Sequence, residues 1–139
     1  MQNAQLMPMI SVDSVDQARA FYVDKLGFGH MMGMLGKDGQ LDFCTVTLNG
    51  AKVMLTRPQE RTEGTSATSA KRPVELYLQV EDVNAYHDKL HKQGVRITGP
   101  LTDQWWGDRT FTVIDPYGYQ IWFYQTVGDI KPPAGAKII

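Results

Sequence analysis

A chain of 139 residues and 15.6 kDa with 42% apolar residues is long enough for one domain, or for two small modules that share a core. A formal net charge of −1 and a pI near 6.3 leave no basic surface to draw nucleic acid or anionic lipid. One cysteine, Cys44, excludes an internal disulfide; with no long apolar run and no charged-then-apolar leader, a soluble, cytoplasmic protein is expected.

Met7 to Val12 reads as a short strand, and Ser14-Val15-Asp16-Gln17 has the form of a capping box. The helix that follows carries Val15, Ala18, Phe21, Tyr22 and Leu26 at helical spacing, and Gly27 suits its C-terminal cap. Strands are predicted at 28–35, 41–48 and 51–57, with a turn at 36–40 and a hairpin signal at Asn49-Gly50. Residues 58–73, from Pro58 through a polar run to Pro73, break the regularity and read as a linker.

Val74 to Val80 is the next strand; Asp82 caps a helix running to Gln93, and Gly94 ends it. A short strand at 95–98 and a loop through Pro100 and Trp105-Trp106-Gly107 lead into a hairpin across 107–125. Its turn is Asp115-Pro116-Tyr117-Gly118, where proline presets one corner and glycine tolerates the left-handed geometry of the last. The C-terminal stretch G-D-I-K-P-P-A-G-A-K-I-I cannot continue a central strand, and residues 126–139 read as a surface tail.

The second half repeats the first: strand, helix, three strands. One offset of 68 residues relates Val12 to Val80, Val15 to Val83, Phe43 to Phe111, Gly50 to Gly118, Val53 to Ile121 and Leu55 to Phe123. The expected organisation is one domain over 1–139, with module one at about 6–57, a linker at 58–73, module two at about 74–125 and a tail at 126–139. The fold class is α+β: two βαβββ modules in tandem forming a curved mixed sheet around a cleft, with the helices on its convex side.

Alternation assigns the faces. Ile10 and Val12, Leu76 and Leu78, Val53 and Leu55, and Ile121 and Phe123 point to the core. Met7, Met9, Met54, Glu75, Tyr77, Gln120, Trp122 and Tyr124 point the other way. That second face mixes methionine, aromatic and hydrogen-bonding groups, as a ligand pocket does. Trp105, Trp106 and Trp122 suit a stacking floor for a planar or cationic ligand. Asp108 and Arg109 are expected to pair locally and position the loop.

The paired modules, the "DQARAFYVDKLGF" helix ending and "DPYGYQIWFYQ" resemble the glyoxalase / bleomycin-resistance / extradiol-dioxygenase superfamily, also called vicinal oxygen chelate proteins, over about Met7 to Gln125. In its metal-using members one ligand comes from the first strand and one from the last strand of each module. By resemblance those positions are Met7, Met54, Glu75 and Trp122 here. Thioether and indole offer a hard divalent ion almost nothing, so no metal and no cofactor are expected. His87 and His91, four apart, have a spacing that can bind zinc but are expected on a solvated helix face. His30 and Cys44 are expected to be a packed histidine and a small buried thiol.

The resemblance therefore implies a metal-free small-molecule binding protein, closest to the bleomycin-resistance branch. It would hold an aromatic or amphipathic ligand in the cleft and act by sequestration, as a homodimer. The near-neutral charge speaks against a strongly cationic natural ligand such as bleomycin. The alternative is an enzyme of the same superfamily, a lyase, dioxygenase or epimerase, in which Glu75 acts as a metal-free general base; catalysis is the less favoured reading.

Overall fold

A computed structural model describes residues 6–57 and 74–138, so the predicted linker at 58–73 lies outside the described residues. The elements are β1 (Met9–Ser11), α1 (Val15–Ala20), β2 (Gly29–Leu35), β3 (Leu41–Leu48), β4 (Ala51–Thr56), β5 (Glu75–Gln79), α2 (Val83–Lys92), β6 (Ile97–Asp103), β7 (Asp108–Ile114) and β8 (Gln120–Thr126). They form an α+β fold of two tandem βαβββ modules, each with a four-stranded mixed sheet, ordered β1-β4-β3-β2 and β5-β8-β7-β6. The first and last strands of each module pair in parallel, and the other neighbours are antiparallel. By packing, the chain divides into Met1–Ala70 with Asp115–Gly118, and Lys71–Ile114 with Tyr119–Ile139.

In the first unit Ser14 Oγ accepts from the Gln17 amide (3.1 Å), the cap that the sequence predicts. The helix does not continue as α to Leu26. It widens into a π-helical turn over Phe21–Lys25, where the Leu26 amide reaches back to the Phe21 carbonyl (3.0 Å). Val15, Ala18, Tyr22 and Leu26 are fully buried against the sheet's Cys44, Val46, Val53 and Leu55. Gly27 closes the helix at φ 86°, and Asn49-Gly50, both at positive φ, make the two-residue hairpin turn.

The Asp115–Gly118 turn belongs to this unit. Asp115 Oδ1 accepts from the Tyr117 amide (2.8 Å) and Oδ2 from the Tyr22 hydroxyl (2.9 Å). Tyr117 Oη donates to Gln17 Oε1 (2.6 Å) and accepts from the Ser14 amide (3.1 Å). The turn therefore does more than reverse the chain: its side chains tie it to the start of α1.

In the second unit Asp82 Oδ1 accepts from the Ala85 amide (3.0 Å), capping α2. Val83 and Leu90 are buried, and Tyr86 lies over Phe123 with ring centres 4.8 Å apart. The strand predicted at 95–98 instead runs from Ile97 through Pro100 to Asp103. β6 is an edge strand with two register shifts, so the missing proline donor breaks no ladder it must serve.

The duplication holds in β1 and β5, in the helix starts and in β4 and β8, but not in β3 and β7. There the matched core residues are Cys44 with Phe111 and Val46 with Val113, 67 residues apart, while Phe43 is only half-buried. The predicted tail is exposed but anchored: the Val127 and Gly128 amides donate to the Gly107 carbonyl (2.9 and 3.0 Å) and the Lys131 amide to that of Trp105 (2.7 Å). Among the described residues no helix is long and apolar enough to cross a membrane.

Candidate functional site

The strand alternation that buries Leu76 and Leu78 on β5 and Ile121 and Phe123 on β8 turns Glu75, Tyr77, Gln79, Gln120, Trp122 and Tyr124 to the other face of the second sheet, away from α2. Parallel pairing sets Glu75 opposite Gln120, Tyr77 opposite Trp122 and Gln79 opposite Tyr124. Tyr77 stacks on Tyr124 with centres 4.4 Å apart and planes at 21°, and Trp122 lies 6.0 Å from Tyr77 at 45°. These separations fall within the range of favourable aromatic pairs.

A hydrogen-bond chain fixes the Tyr77 ring. Trp106 Nε1 donates to Tyr77 Oη (2.8 Å), which donates to Asp108 Oδ2 (2.6 Å), while Thr126 Oγ1 donates to Asp108 Oδ1 (2.8 Å). Burial, followed by the Asp108 carboxylate as acceptor, pushes the Tyr77 phenol up to about 12. Trp105 meets Trp106 edge to face at 5.4 Å and borders a cleft of about 230 Å³ between this loop and the tail, with Asp103, Asp129 and Lys131 on its walls.

Asp108 and Arg109 do not pair as the sequence reading expects. Neighbours on a strand point to opposite faces. Arg109 instead binds Asp103 (Nε to Oδ1, 2.6 Å) and holds that carboxyl below its ordinary range. The role of Asp108 as acceptor for Tyr77 and Thr126 had a usable signal. Counting back from core-facing Phe111, it falls on the same face as Tyr124.

Glu75 Oε1 accepts from both Gln120 Nε2 (2.6 Å) and Trp122 Nε1 (2.8 Å). Of the residues singled out in the sequence, Glu75, Tyr77, Trp105, Trp106, Trp122 and Tyr124 share the second unit. Met7, Met9 and Met54 belong to the first, where Met9 stands opposite Met54 and exposed Met7 precedes β1. The donors at the four positions that the sequence resemblance matches to the family's metal ligands, Met7, Met54, Glu75 and Trp122, do not fit a hard divalent ion. Two are thioethers, one is an indole whose N–H has no lone pair to give, and that N–H is bonded to the one carboxylate.

His30 and Cys44 do not form a site. His30 is exposed rather than packed as expected, because β2 is an edge strand and the His30 Nδ1 accepts from Arg19 Nε at the surface (2.8 Å), whereas Cys44 is buried as expected and its thiol pushed up to about 11. His87 is half-buried against Phe111 and His91 is exposed. Among the described residues no three His, Cys, Asp or Glu side chains gather as a metal site.

The model of the Glyoxalase/Bleomycin resistance protein/Dioxygenase superfamily matches residues 5–123. An uncharacterized protein of Mycobacterium bovis is 31% identical over 130 residues, 91% of this chain and 86% of the relative. The bleomycin resistance protein of Geobacillus stearothermophilus is 27% identical over 136 residues, 88% of this chain and 97% of the relative. The bleomycin-binding protein of bleomycin-producing Streptomyces verticillus, solved with copper(II)-bleomycin, shares the fold at TM-score 0.65 and 22% identity, over 93% of this chain and 99% of that one. With two βαβββ modules and a family match over most of its length, this chain belongs to the glyoxalase/bleomycin resistance protein/dioxygenase superfamily.

Proposed function

We propose that the protein reversibly binds an aromatic or amphipathic small molecule on the aromatic face of its second sheet, without a metal, and acts by sequestering it in the cytoplasm. The observation that carries this reading is the stacked Tyr77–Tyr124 pair beside Trp122, with Tyr77 fixed in place by Trp106 and Asp108. A face set before the ligand arrives loses little side-chain freedom on binding. Bleomycin binding by the S. verticillus protein supports the reading at the level of the family.

The charge of this face differs from that of the whole chain. Glu75 and Asp108 lie on it, and none of Tyr77, Gln79, Thr110, Thr112, Gln120, Trp122, Tyr124 or Thr126 is basic. A planar ligand bearing a positive group therefore suits it. A general-base role for Glu75 gains no support, because its Oε1 already accepts from two donors that orient it. A homodimer is supported by β2, an edge strand with Met31, Met32, Met34 and Leu35 exposed.

Titration of intrinsic tryptophan fluorescence with planar aromatic compounds, with and without an amine, tests the reading. Saturable binding is expected, favouring the amines. Trp122→Ala should weaken it roughly three- to tenfold, from the worth of one aromatic pair. No saturable response in the wild type, or an unchanged affinity in Trp122→Ala that retains the native circular dichroism, rejects it.

A further inference from the structure

One flank of α2, bordering its sheet-facing side, carries two imidazoles one turn apart, half-buried His87 and exposed His91, whose rings are parallel within 8° with centres 6.3 Å apart. The edge of His87 is held at 88° to the Phe111 ring, 5.2 Å between centres, which restrains its rotation. Its Nδ1 lies 3.1 Å from Asp88 Oδ1. A carboxylate at Nδ1 favours the tautomer with hydrogen there, leaving the lone pair on Nε2. That is the arrangement of metal-ligating histidines, whose second ring nitrogen donates to an outer carboxylate.

We propose that His87 and His91 form a two-point chelate for a borderline divalent ion, with Asp88 orienting His87. Imidazole nitrogens suit copper(II), nickel(II) and zinc, and copper(II) binds such a site most tightly of the three. Calcium and magnesium, which want several oxygens, are excluded by the donor set. Ion-to-nitrogen distances of about 2.0–2.1 Å require the two nitrogens to approach, and exposed His91 is the side that turns. The other charged groups on this stretch are Lys89 and Lys92, both exposed.

The site is independent of the aromatic face and of Met7, Met54, Glu75 and Trp122. It lies on the helix, on the opposite side of the second sheet. Because the folded helix holds the pair together and the unfolded chain does not, the ion stabilises the native state.

Isothermal titration of the untagged full chain with copper(II) in a non-coordinating buffer tests this, with electron paramagnetic resonance on the loaded protein. The expected result is one tight ion per chain, bound by two nitrogens, and lost by about tenfold or more in His91→Ala, which removes the chelate. Asp88→Asn should weaken it less, and His30→Ala should leave it unchanged. Nickel(II) should raise the melting temperature of the wild type but not of His91→Ala. His91 is exposed, so this variant folds where His87→Ala could collapse the packing on Phe111. No tight ion in the wild type, or unchanged binding in His91→Ala, overturns the proposal, as does loss of the ion in His30→Ala.

Discussion

Tyr77→Phe removes one oxygen and keeps the ring, so it isolates the hydrogen-bond chain from the stacking. Two bonds go: the one from Trp106 Nε1 (2.8 Å) and the one to Asp108 Oδ2 (2.6 Å). A hydrogen bond to a charged partner contributes about 1.5–3 kcal/mol. Tyr77 is 44% exposed, so water replaces part of that, and Asp108, 9% exposed, keeps the Thr126 hydroxyl. The expected loss is about 1–2 kcal/mol, read as a lower urea midpoint at unchanged slope. Alkaline pH supplies a second reading. The folded-state phenol stands at about 12 against an ordinary 10.0, so its share of stability is intact below pH 10 and lost as pH rises through 12. Wild type should therefore lose stability faster than Tyr77→Phe across that window, and the two curves should converge. A loss under about 0.3 kcal/mol at neutral pH, with parallel alkaline limbs, would show that the chain contributes nothing and refute the reasoning.

Two further outcomes follow from local geometry. Cys44, fully buried with its thiol pushed up to about 11, should react with Ellman's reagent at pH 8 at least about a hundredfold slower in the native protein than in urea; equal rates would place it at the surface. Gly107→Ala should cost about 2 kcal/mol or more, because φ is 100° and a Cβ would stand 2.5 Å from the Gly128 carbonyl oxygen. Gly128→Ala, where a Cβ meets nothing within 4 Å, is the control, and equal urea midpoints for the two variants would contradict the strain.

The fold was legible where a side chain's environment depends only on its own element. Period-two alternation sorts β1, β4, β5 and β8 into faces because each strand has one buried side, and Ile10, Val53, Leu76 and Ile121 are buried accordingly. Ser14 and Asp82 signal caps because each serves an amide three residues on. Features set by distant partners were not legible. The 68-residue offset pairs Phe43 with Phe111, two phenylalanines, yet the hairpin turn between β7 and β8 holds one more residue between core positions than Asn49-Gly50 does. Val46 and Val53 are seven apart, Val113 and Ile121 eight, and a one-residue slip exchanges the faces of a strand. The strand through Pro100 escapes for a similar reason. Proline argues against a central strand, and only the sheet order makes β6 an edge.

The candidate site shows the same division more sharply. Composition and alternation place Glu75, Tyr77, Trp122 and Tyr124 on one face but do not say which polar atoms meet. Asp108 looks paired with the arginine beside it in sequence, while the strand sends the two to opposite faces and hands Asp108 to a tyrosine 31 residues away. Glu75, read in isolation, is equally a lone ligand, a base or a surface charge. The 2.8 Å bond from Trp122 Nε1 changes the question, because two of the four positions that the sequence resemblance matches to metal ligands here bind each other. An indole in place of a ligand removes a donor to the ion and also supplies a hydrogen to the carboxylate that remains. That carboxylate then orients the ring instead of coordinating an ion. Glu75 and Trp122 therefore act as a pair, and building a metal site here would require releasing Glu75 Oε1 from both Trp122 and Gln120 before it could coordinate.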